Sequence, residues 1–411
     1  MEQNHKIAII GLGYVGLPLA VSFSKYYKTI GYDISENRIE ELKKSIDRNI
    51  DADINELDTL HFTYNLSELK DSNIYIITVP TPVKSDNTPD LSFLESATKI
   101  VSNLIKKNDI IIYESTVYPG VTEDFCVPLL ERFSSFKFNI DFFCGYSPER
   151  INPGDKLRKL EDIVKVTSGS NSEVATIIDD LYKKIIRAGT FKASSIKVAE
   201  ASKVIENVQR DVNIALMNEL AMMFDKMNIS TKDVLDAAKT KWNFLDFKPG
   251  LVGGHCISID PYYLIYKSKD AGYAPDLINT SREINNHVSS FICYKTKKLL
   301  LKQNIKLKNA DVLILGYTFK ENCLDTRNTQ VKMIFNNLQE DNCCVDIYDP
   351  LLNNNNSDNP FLKDKKYDAI ILAVAHKQFY NYTINDFNLI SKEKLVLLDI
   401  KGIYDFSTWT L

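Results

Sequence analysis

No CxxC pair occurs anywhere in the 411 residues: the seven cysteines, Cys126, Cys144, Cys256, Cys293, Cys323, Cys343 and Cys344, are odd in number and scattered. That spacing offers neither the paired ligands of a structural zinc site nor a thioredoxin-type dithiol, so no metal is expected. Unpaired thiols fit a reducing cytoplasm, where most cysteines are packing groups. Long apolar runs are also missing: none approaches the ~20 residues that span a bilayer. Met1 leads into a strand at Lys6–Ile10 with no basic stretch and cleavage site, so neither membrane nor export is indicated. Positive charge is not in excess. The 50 Lys and Arg face 54 Asp and Glu, a net charge of -4, and the KK pairs are scattered as on solvated helix faces. Nucleic acid, which needs a basic surface, is therefore not an expected partner.

What is present is an ordinary globular composition, 44% hydrophobic and 25% charged, over a length that requires two or three cores. The N-terminal part alternates short β-branched runs with helical patterns: KIAIIG (6–11), TIGYD (29–33), IYIITVP (74–80), DIIIYES (109–115), FFCGY (142–146) and DIVKVTSG (162–169). Such runs predict a parallel sheet covered on both faces. From Ser195 to Met227 the pattern becomes one long helix free of Gly and Pro. Further helical segments follow, interrupted by the Gly- and Pro-rich stretch Phe247–Pro261. The βα alternation returns in DVLILGYTF (311–319), CVDIYDP (344–350), DAIILAV (368–374) and LVLLDIKG (395–402). The expected fold is α/β: two Rossmann-like doubly wound domains, 1–194 and 305–411, joined by a central helical domain, 195–304. The segment NNNNSDNP (353–360) reads as an exposed loop without implied chemistry.

Gly11-Leu12-Gly13-Tyr14-Val15-Gly16 follows the first strand and opens a helix. The first glycine permits the tight turn, the second lets the backbone approach a pyrophosphate, and the third lets helix pack on strand. Asp33 closes the second run, where a carboxylate accepts from a ribose 2′-OH and repels a 2′-phosphate; NAD is favoured over NADP. The competing reading is a packing turn with an incidental Asp. Arg38 is near enough to assist the adenosine side or to stand solvated on its helix. Val79-Pro80-Thr81-Pro82 and Glu114-Ser115-Thr116-Val117 end later strands, where ligands bind in such sheets. Thr81 and Thr116 are cofactor-side candidates, with helix capping as the alternative.

In Phe247–Pro261 a single cysteine, Cys256, follows Gly253, Gly254 and His255 and precedes Asp260 by four residues. A lone cysteine is ordinarily a buried thiol. Here the glycines admit a substrate to the backbone, and Asp260 can serve as a base or orient water, which favours a nucleophile. Lys203, Asn207 and Arg210 stand at i, i+4 and i+7 on the long helix and share a face. Lys and Asn suit an oxyanion and Arg suits a phosphate; a solvent-facing stripe is the alternative.

With IAIIGLGYVGLPLA, IITVPTP, YESTVYPG, GYSPERINPGD, AEASKVIENVQRDVNIALMNELA, KWNFLDFKPGLVGGHCISIDPYYL and LGYTFKENCLDTRNT, the sequence resembles the UDP-glucose/GDP-mannose dehydrogenase family from Lys6 to Lys401. Within it, the chain is most similar to the UDP-N-acetylhexosamine branch of capsule and O-antigen synthesis. The resemblance implies NAD-dependent, four-electron oxidation of the C6 alcohol of a UDP-N-acetylhexosamine to the uronic acid. UDP-N-acetylglucosamine ranks first and UDP-N-acetylgalactosamine second, with UDP-N-acetylmannosamine or UDP-glucose as the alternatives. It implies that Cys256 forms the thiohemiacetal and thioester, that Lys203 and Asn207 stabilise the oxyanion, and that Asp260 handles water or protons. Glu149 then serves thioester hydrolysis and Thr116 positions water. Arg150, Ile151, Arg210, Gly253, Phe319, Lys320 and Lys401 match substrate contacts, and Arg327 matches a cofactor contact from the C-terminal domain.

Two departures stand out. The stretch resembling ENCPDIRNT reads Glu321–Thr329 as ENCLDTRNT, and the R-x-x-N-D pattern ends in Asn286 after Arg282 and Asn285. A short-chain dehydrogenase is disfavoured because its glycine loop is spaced GxxGxxG. A β-hydroxyacid dehydrogenase would oxidise once without an essential cysteine, and a non-catalytic binder would not retain Cys256, Lys203, Asn207, Asp260 and Glu149. Ala215, Leu216, Leu220 and Ala221 give the long helix an apolar face suited to a homodimer, or to packing within the monomer.

Overall fold

The computed structural model describes residues 5–47, 60–151, 158–352 and 358–411. By contacts the chain forms two compact units, Met1–Glu206 with Tyr262–Tyr273, and Asn207–Pro261 with Ala274–Leu411.

The first unit is built on eight strands. They are β1 (Lys6–Ile10), β2 (Lys28–Tyr32), β3 (His61–Thr63), β4 (Ile74–Ile77), β5 (Asp109–Tyr113), β6 (Phe142–Tyr146), β7 (Lys165–Gly169) and β8 (Thr190–Lys192). Their order is β3-β2-β1-β4-β5-β6-β7-β8. Successive side chains leave opposite faces of a strand, so each apolar run feeds two cores. Ile7, Ile9, Ile74, Ile76, Ile110 and Ile112 join Leu17 and Phe23 on one face. Ala8, Ile10, Tyr75, Ile77, Ile111 and Tyr113 join Leu94 and Val101 on the other. The order reverses between β1 and β4, the switch point at which open α/β sheets bind ligands.

The sheet is not wholly parallel. β7 runs antiparallel to β6. Parallel neighbours need a long crossover, normally a helix; among the described residues between these strands there is only the single turn Leu160–Asp162. The short strands β3 and β8 carry too few apolar residues to announce themselves.

The second unit holds an all-parallel sheet of β9 (Asp311–Leu315), β10 (Cys344–Tyr348), β11 (Ala369–Leu372), β12 (Leu397–Asp399) and β13 (Trp409–Thr410), in the order β10-β9-β11-β12-β13. Val312 and Ile314 face a core shared with Val288, Ile292 and Leu300 of helix Asp276–Lys302 and with Ile334 and Leu338 of helix Val331–Glu340. Leu313 and Leu315 face a core with Phe379 and Phe387.

The long helix is Ile196–Met227. Its part in the second unit carries a ladder of paired polar residues. Asp211 accepts from Arg282 (2.5 Å) and Asn285 (2.7 Å). Asn218 donates to Asn285 (2.8 Å) and brackets Gly250, accepting from its N–H at 2.8 Å and donating to its carbonyl at 3.1 Å. Asp225 accepts from Lys295 (2.6 Å) and Trp409 (2.9 Å). Polar groups taken from water must be paired, so this ladder sets the helix register and anchors the start of the glycine-rich loop. Arg282 is thus committed to internal packing, and donates to Asn286 at 2.6 Å.

The apolar face expected on this helix divides: Ala215 and Ala221 are buried in the chain's own core, whereas Leu216 is exposed. Of the asparagine-rich segment, residues 353–357 lie outside the described residues. Asn359 caps the turn Pro360–Leu362, whose Pro360 is buried, so the end of that segment is not a free loop. Among the described residues no helix is long and apolar enough to cross a membrane.

Candidate active site

In the first unit the glycine motif forms the turn between β1 and helix Gly16–Ser24. Gly11 has φ +97°, a conformation that L side chains rarely adopt. A Cβ on Gly16 would lie 1.8 Å from the Gly11 carbonyl oxygen, so helix and turn pack too closely for any side chain. A Cβ on Gly13 would meet nothing within 4 Å. The backbone there is open, beside the helix start at Tyr14 and Val15, and fits the approach of a pyrophosphate. Asp33 accepts from the N–H of Leu12 and of Ser35, both at 2.9 Å, which fixes its carboxylate beside the turn. Arg38 is not a solvated helix residue: Nε donates to the Leu12 carbonyl (3.1 Å) and Nη2 pairs with Asp47 (2.8 Å). These residues fit an adenine dinucleotide without a 2′-phosphate. Thr81 donates to the Thr116 carbonyl at 2.6 Å and ties the ends of β4 and β5 together.

Below these strand ends lies a buried charge cluster that sequence reading did not anticipate. Lys165 on β7 reaches Glu114 at 2.6 Å and Glu149 at 3.4 Å, and Tyr182 also donates to Glu114. Burial raises the Glu114 carboxyl to about 7 against the pull of Lys165. Glu149 is held by the N–H groups of Arg150 (2.6 Å) and Ile151 (2.5 Å). The Arg150 guanidinium is occupied by the Val164 carbonyl and Glu206, both at 2.7 Å. Glu200, buried on the long helix, accepts from the N–H of Gly120 (2.5 Å) and Thr122 (2.9 Å) and so anchors the turn after Thr116. Lys203, one turn further along, is buried, which removes the solvent-stripe reading for it.

The second unit presents the cysteine. Cys256 is half-buried, unlike Cys126 and Cys293, whose thiols burial pushes up to about 12. The Asp260 N–H donates to the Cys256 carbonyl at 2.9 Å, so the chain turns directly into helix Asp260–Asp270. The Asp260 carboxylate accepts from the Asn207 amide, and the Asn207 carbonyl accepts from Arg210. Asn207 and Asp260 are both buried. Asn207 therefore orients Asp260 and keeps one of its two N–H groups for another acceptor. Arg210 is directed at Asn207.

Gly254, at φ +84°, lies against Phe319: a Cβ there would be 2.7 Å from the ring. Gly253 abuts the Asn328 carbonyl, 2.7 Å from where its Cβ would stand. With Phe319, Lys320, Glu321, Gln330 and Lys401, Gly253 lines a pocket of the second unit. Lys401 pairs with Glu321 at 2.7 Å, and Lys320 stands 5.5 Å over the Phe319 ring. Burial raises the Glu321 carboxyl, but Lys401 outweighs it and the net shift is downward. Arg327 is engaged inside its own unit, with Asp325 at 2.6 Å and His255 Nε2 at 3.2 Å. It braces the loop before Cys256. Burial and then Arg327 lower the His255 pKa. Among the described residues no group of three or more His, Cys, Asp or Glu can hold a metal ion.

Three models of the UDP-glucose/GDP-mannose dehydrogenase family match in sequence: its NAD binding domain over residues 5–186, its central domain over 197–287 and its UDP binding domain over 313–406. The chain is 50% identical to UDP-N-acetyl-D-glucosamine 6-dehydrogenase of Pseudomonas aeruginosa, covering 98% of each chain. It is 50% identical to the enzyme of the same name from Salmonella typhi, covering 97% of this chain and 96% of the other. A solved UDP-D-ManNAc dehydrogenase from Pyrococcus horikoshii superposes with a TM-score of 0.89 at 30% identity, covering 98% of both.

Proposed function

The chain belongs to the UDP-glucose/GDP-mannose dehydrogenase family and is an NAD-dependent UDP-sugar dehydrogenase, and from that premise we propose UDP-N-acetylglucosamine as its substrate. C6 is oxidised from alcohol to carboxylate in two steps. The observation that carries this choice is 50% identity over 98% of both chains to an enzyme named for that sugar. UDP-N-acetylgalactosamine, which differs in one hydroxyl, is the second reading; UDP-N-acetylmannosamine and UDP-glucose follow. The uronic acid serves surface polysaccharide synthesis, capsule or O-antigen.

We assign the chemistry as follows. NAD held by Gly11, Gly13, Gly16, Asp33 and Arg38, with Thr81 at the strand ends, would supply the hydride acceptor, one NAD for each of the two oxidations. The Cys256 thiolate adds to C6 of the first product, an aldehyde, and holds it as a thiohemiacetal. Loss of the C6 hydrogen as hydride leaves a thioester on Cys256, so the reactive carbon never leaves the protein. Lys203 and the remaining N–H of Asn207 stabilise the oxyanion on C6. Asp260, oriented by Asn207, moves the proton. Glu149 and Thr116 place the water that displaces Cys256 and releases the carboxylate. Lys320 and Lys401 receive the negatively charged UDP portion beside Phe319 and Gly253.

Functionally the chain divides into an NAD-binding part (1–194), a helical part (195–304) and a UDP-binding part (305–411). We further propose a cytoplasmic homodimer: Val198, Ile205, Leu216 and Met223 are exposed along the long helix, an arrangement that supports self-association.

The test is NADH release across UDP-N-acetylglucosamine, UDP-N-acetylgalactosamine, UDP-N-acetylmannosamine and UDP-glucose, with product mass measured. The highest kcat/KM belongs to the first. A preference for UDP-glucose would overturn the choice of sugar, and turnover of none would overturn the reading.

A further inference from the structure

Away from Cys256, the second unit contains a fully buried acid–imidazole pair to which the reaction assigns no task. His376 and Asp349 are 0% and 1% exposed. Asp349 follows β10 and His376 follows β11, yet both bond to the loop after β9, Tyr317–Asn322, which carries Phe319 and Lys320. Asp349 Oδ2 accepts from the N–H of Tyr317 (2.7 Å) and of Thr318 (3.1 Å), and from His376 Nε2 (2.9 Å). His376 Nδ1 accepts from the Asn322 N–H at 3.0 Å. Nδ1, as an acceptor, carries no hydrogen, which leaves the ring hydrogen on Nε2, directed at Asp349. Thr318 Oγ1 stands 3.1 Å from the same Nε2 and donates onward to the Lys320 carbonyl at 3.0 Å. The loop is thus gripped before, at and after Phe319 and Lys320.

We propose that the Asp349–His376 pair is a positioning device that holds Phe319 and Lys320 in the shape that receives the UDP portion of the substrate. The proposal rests on the reading that these two residues contact that portion. A grip is needed because the segment has no sheet or helix bonds of its own. Its left-handed points, Gly316 (φ +85°) and Asn322 (φ +56°), flank it and would otherwise act as hinges. The Phe319 ring also supports Gly254, two residues before Cys256, so its placement matters to the cysteine loop as well.

The test compares His376→Ala, His376→Asn and His376→Gln in the full-length enzyme. Removing the imidazole's contacts to Asp349, Asn322 and Thr318 raises the KM for UDP-N-acetylglucosamine and the Kd for UDP by roughly tenfold, while the KM for NAD stays within about twofold. Asparagine, whose Oδ1 can replace Nδ1 toward the Asn322 N–H, recovers more than glutamine, because Asp349 has other donors and Asn322 loses its acceptor. If His376→Ala does not fold, Thr318→Val cuts only the hydroxyl link and should raise the Kd for UDP in the same direction. Phe319→Ala and Lys320→Ala serve as controls. If these weaken UDP binding and the His376 variants do not, the positioning role is overturned. If Phe319→Ala and Lys320→Ala leave UDP binding unchanged, the underlying reading of the loop is overturned instead. A parallel rise in the KM for NAD and for the sugar nucleotide would mark a general structural effect and also overturn the proposal.

Discussion

Asn207 and Asp260, 53 residues apart in sequence, meet in a buried hydrogen bond in which the amide donates to the carboxylate. The bond places an acid one helical turn from Cys256, whose carbonyl receives the Asp260 N–H. Asp260→Asn removes the charge and keeps the shape. Its kcat should fall by roughly 10²–10⁴-fold, the usual contribution of a positioned acid–base group, with little change in thermal midpoint. Retention of wild-type kcat would remove Asp260 from proton handling. Asn207→Ala leaves a buried carboxylate short of a donor and should cost both activity and about 1–3 kcal/mol of stability by urea unfolding.

The second and third glycines of the dinucleotide motif should separate stability from cofactor binding. Gly16→Ala forces a Cβ to within 1.8 Å of a backbone oxygen and should lower the melting temperature by several degrees or abolish folding. Gly13→Ala meets no protein atom, so the fold should persist while the KM for NAD rises roughly tenfold. Unchanged NAD affinity in Gly13→Ala would argue against a pyrophosphate at that backbone.

Glu200 gives a pH dependence of stability with a definite sign. Burial raises its carboxyl from 4.5 to about 7, against the Gly120 and Thr122 amides that it accepts from. The folded state then holds more protons than the unfolded state between those values, so stability falls as pH rises through that window. The loss is on the order of 3 kcal/mol for one group. Glu200→Gln should flatten the fall in urea midpoint between about pH 5 and about pH 7.5. An unchanged slope would place its origin elsewhere.

How much of this was legible in the sequence depended on distance along the chain. Gly11, Gly13, Gly16 and Asp33 are close in sequence and follow strand ends, so spacing alone pointed to the tight turn between β1 and helix Gly16–Ser24. Cys256 and Asp260 are four residues apart and read together as readily. Lys165 was hidden, because a single lysine inside DIVKVTSG looks like a strand edge until Glu114 and Glu149 surround it. The Asp349–His376 pair and the ladder from Asp211 to Asp225 join segments whose register only packing can set. Residues expected at ligands also acquired internal duties: Arg327 braces His255, Arg210 turns to Asn207, and Arg150 pairs with Glu206. A charged side chain near a site has partners that composition does not reveal. The antiparallel β7 was missed for a related reason, since strand direction depends on the connection and not on the strand's own residues.

The central claim is covalent catalysis at Cys256, and the most direct measurement is the product balance of the wild-type protein against Cys256→Ser. In the wild type, each UDP-uronate should appear with two NADH, and acid-quenched turnover should show the sugar nucleotide acyl group on the peptide containing Cys256 by mass spectrometry. Cys256→Ser should keep the NAD affinity of the wild type and form no uronate. Uronate production by Cys256→Ser at the wild-type rate, with two NADH per product, would contradict the account.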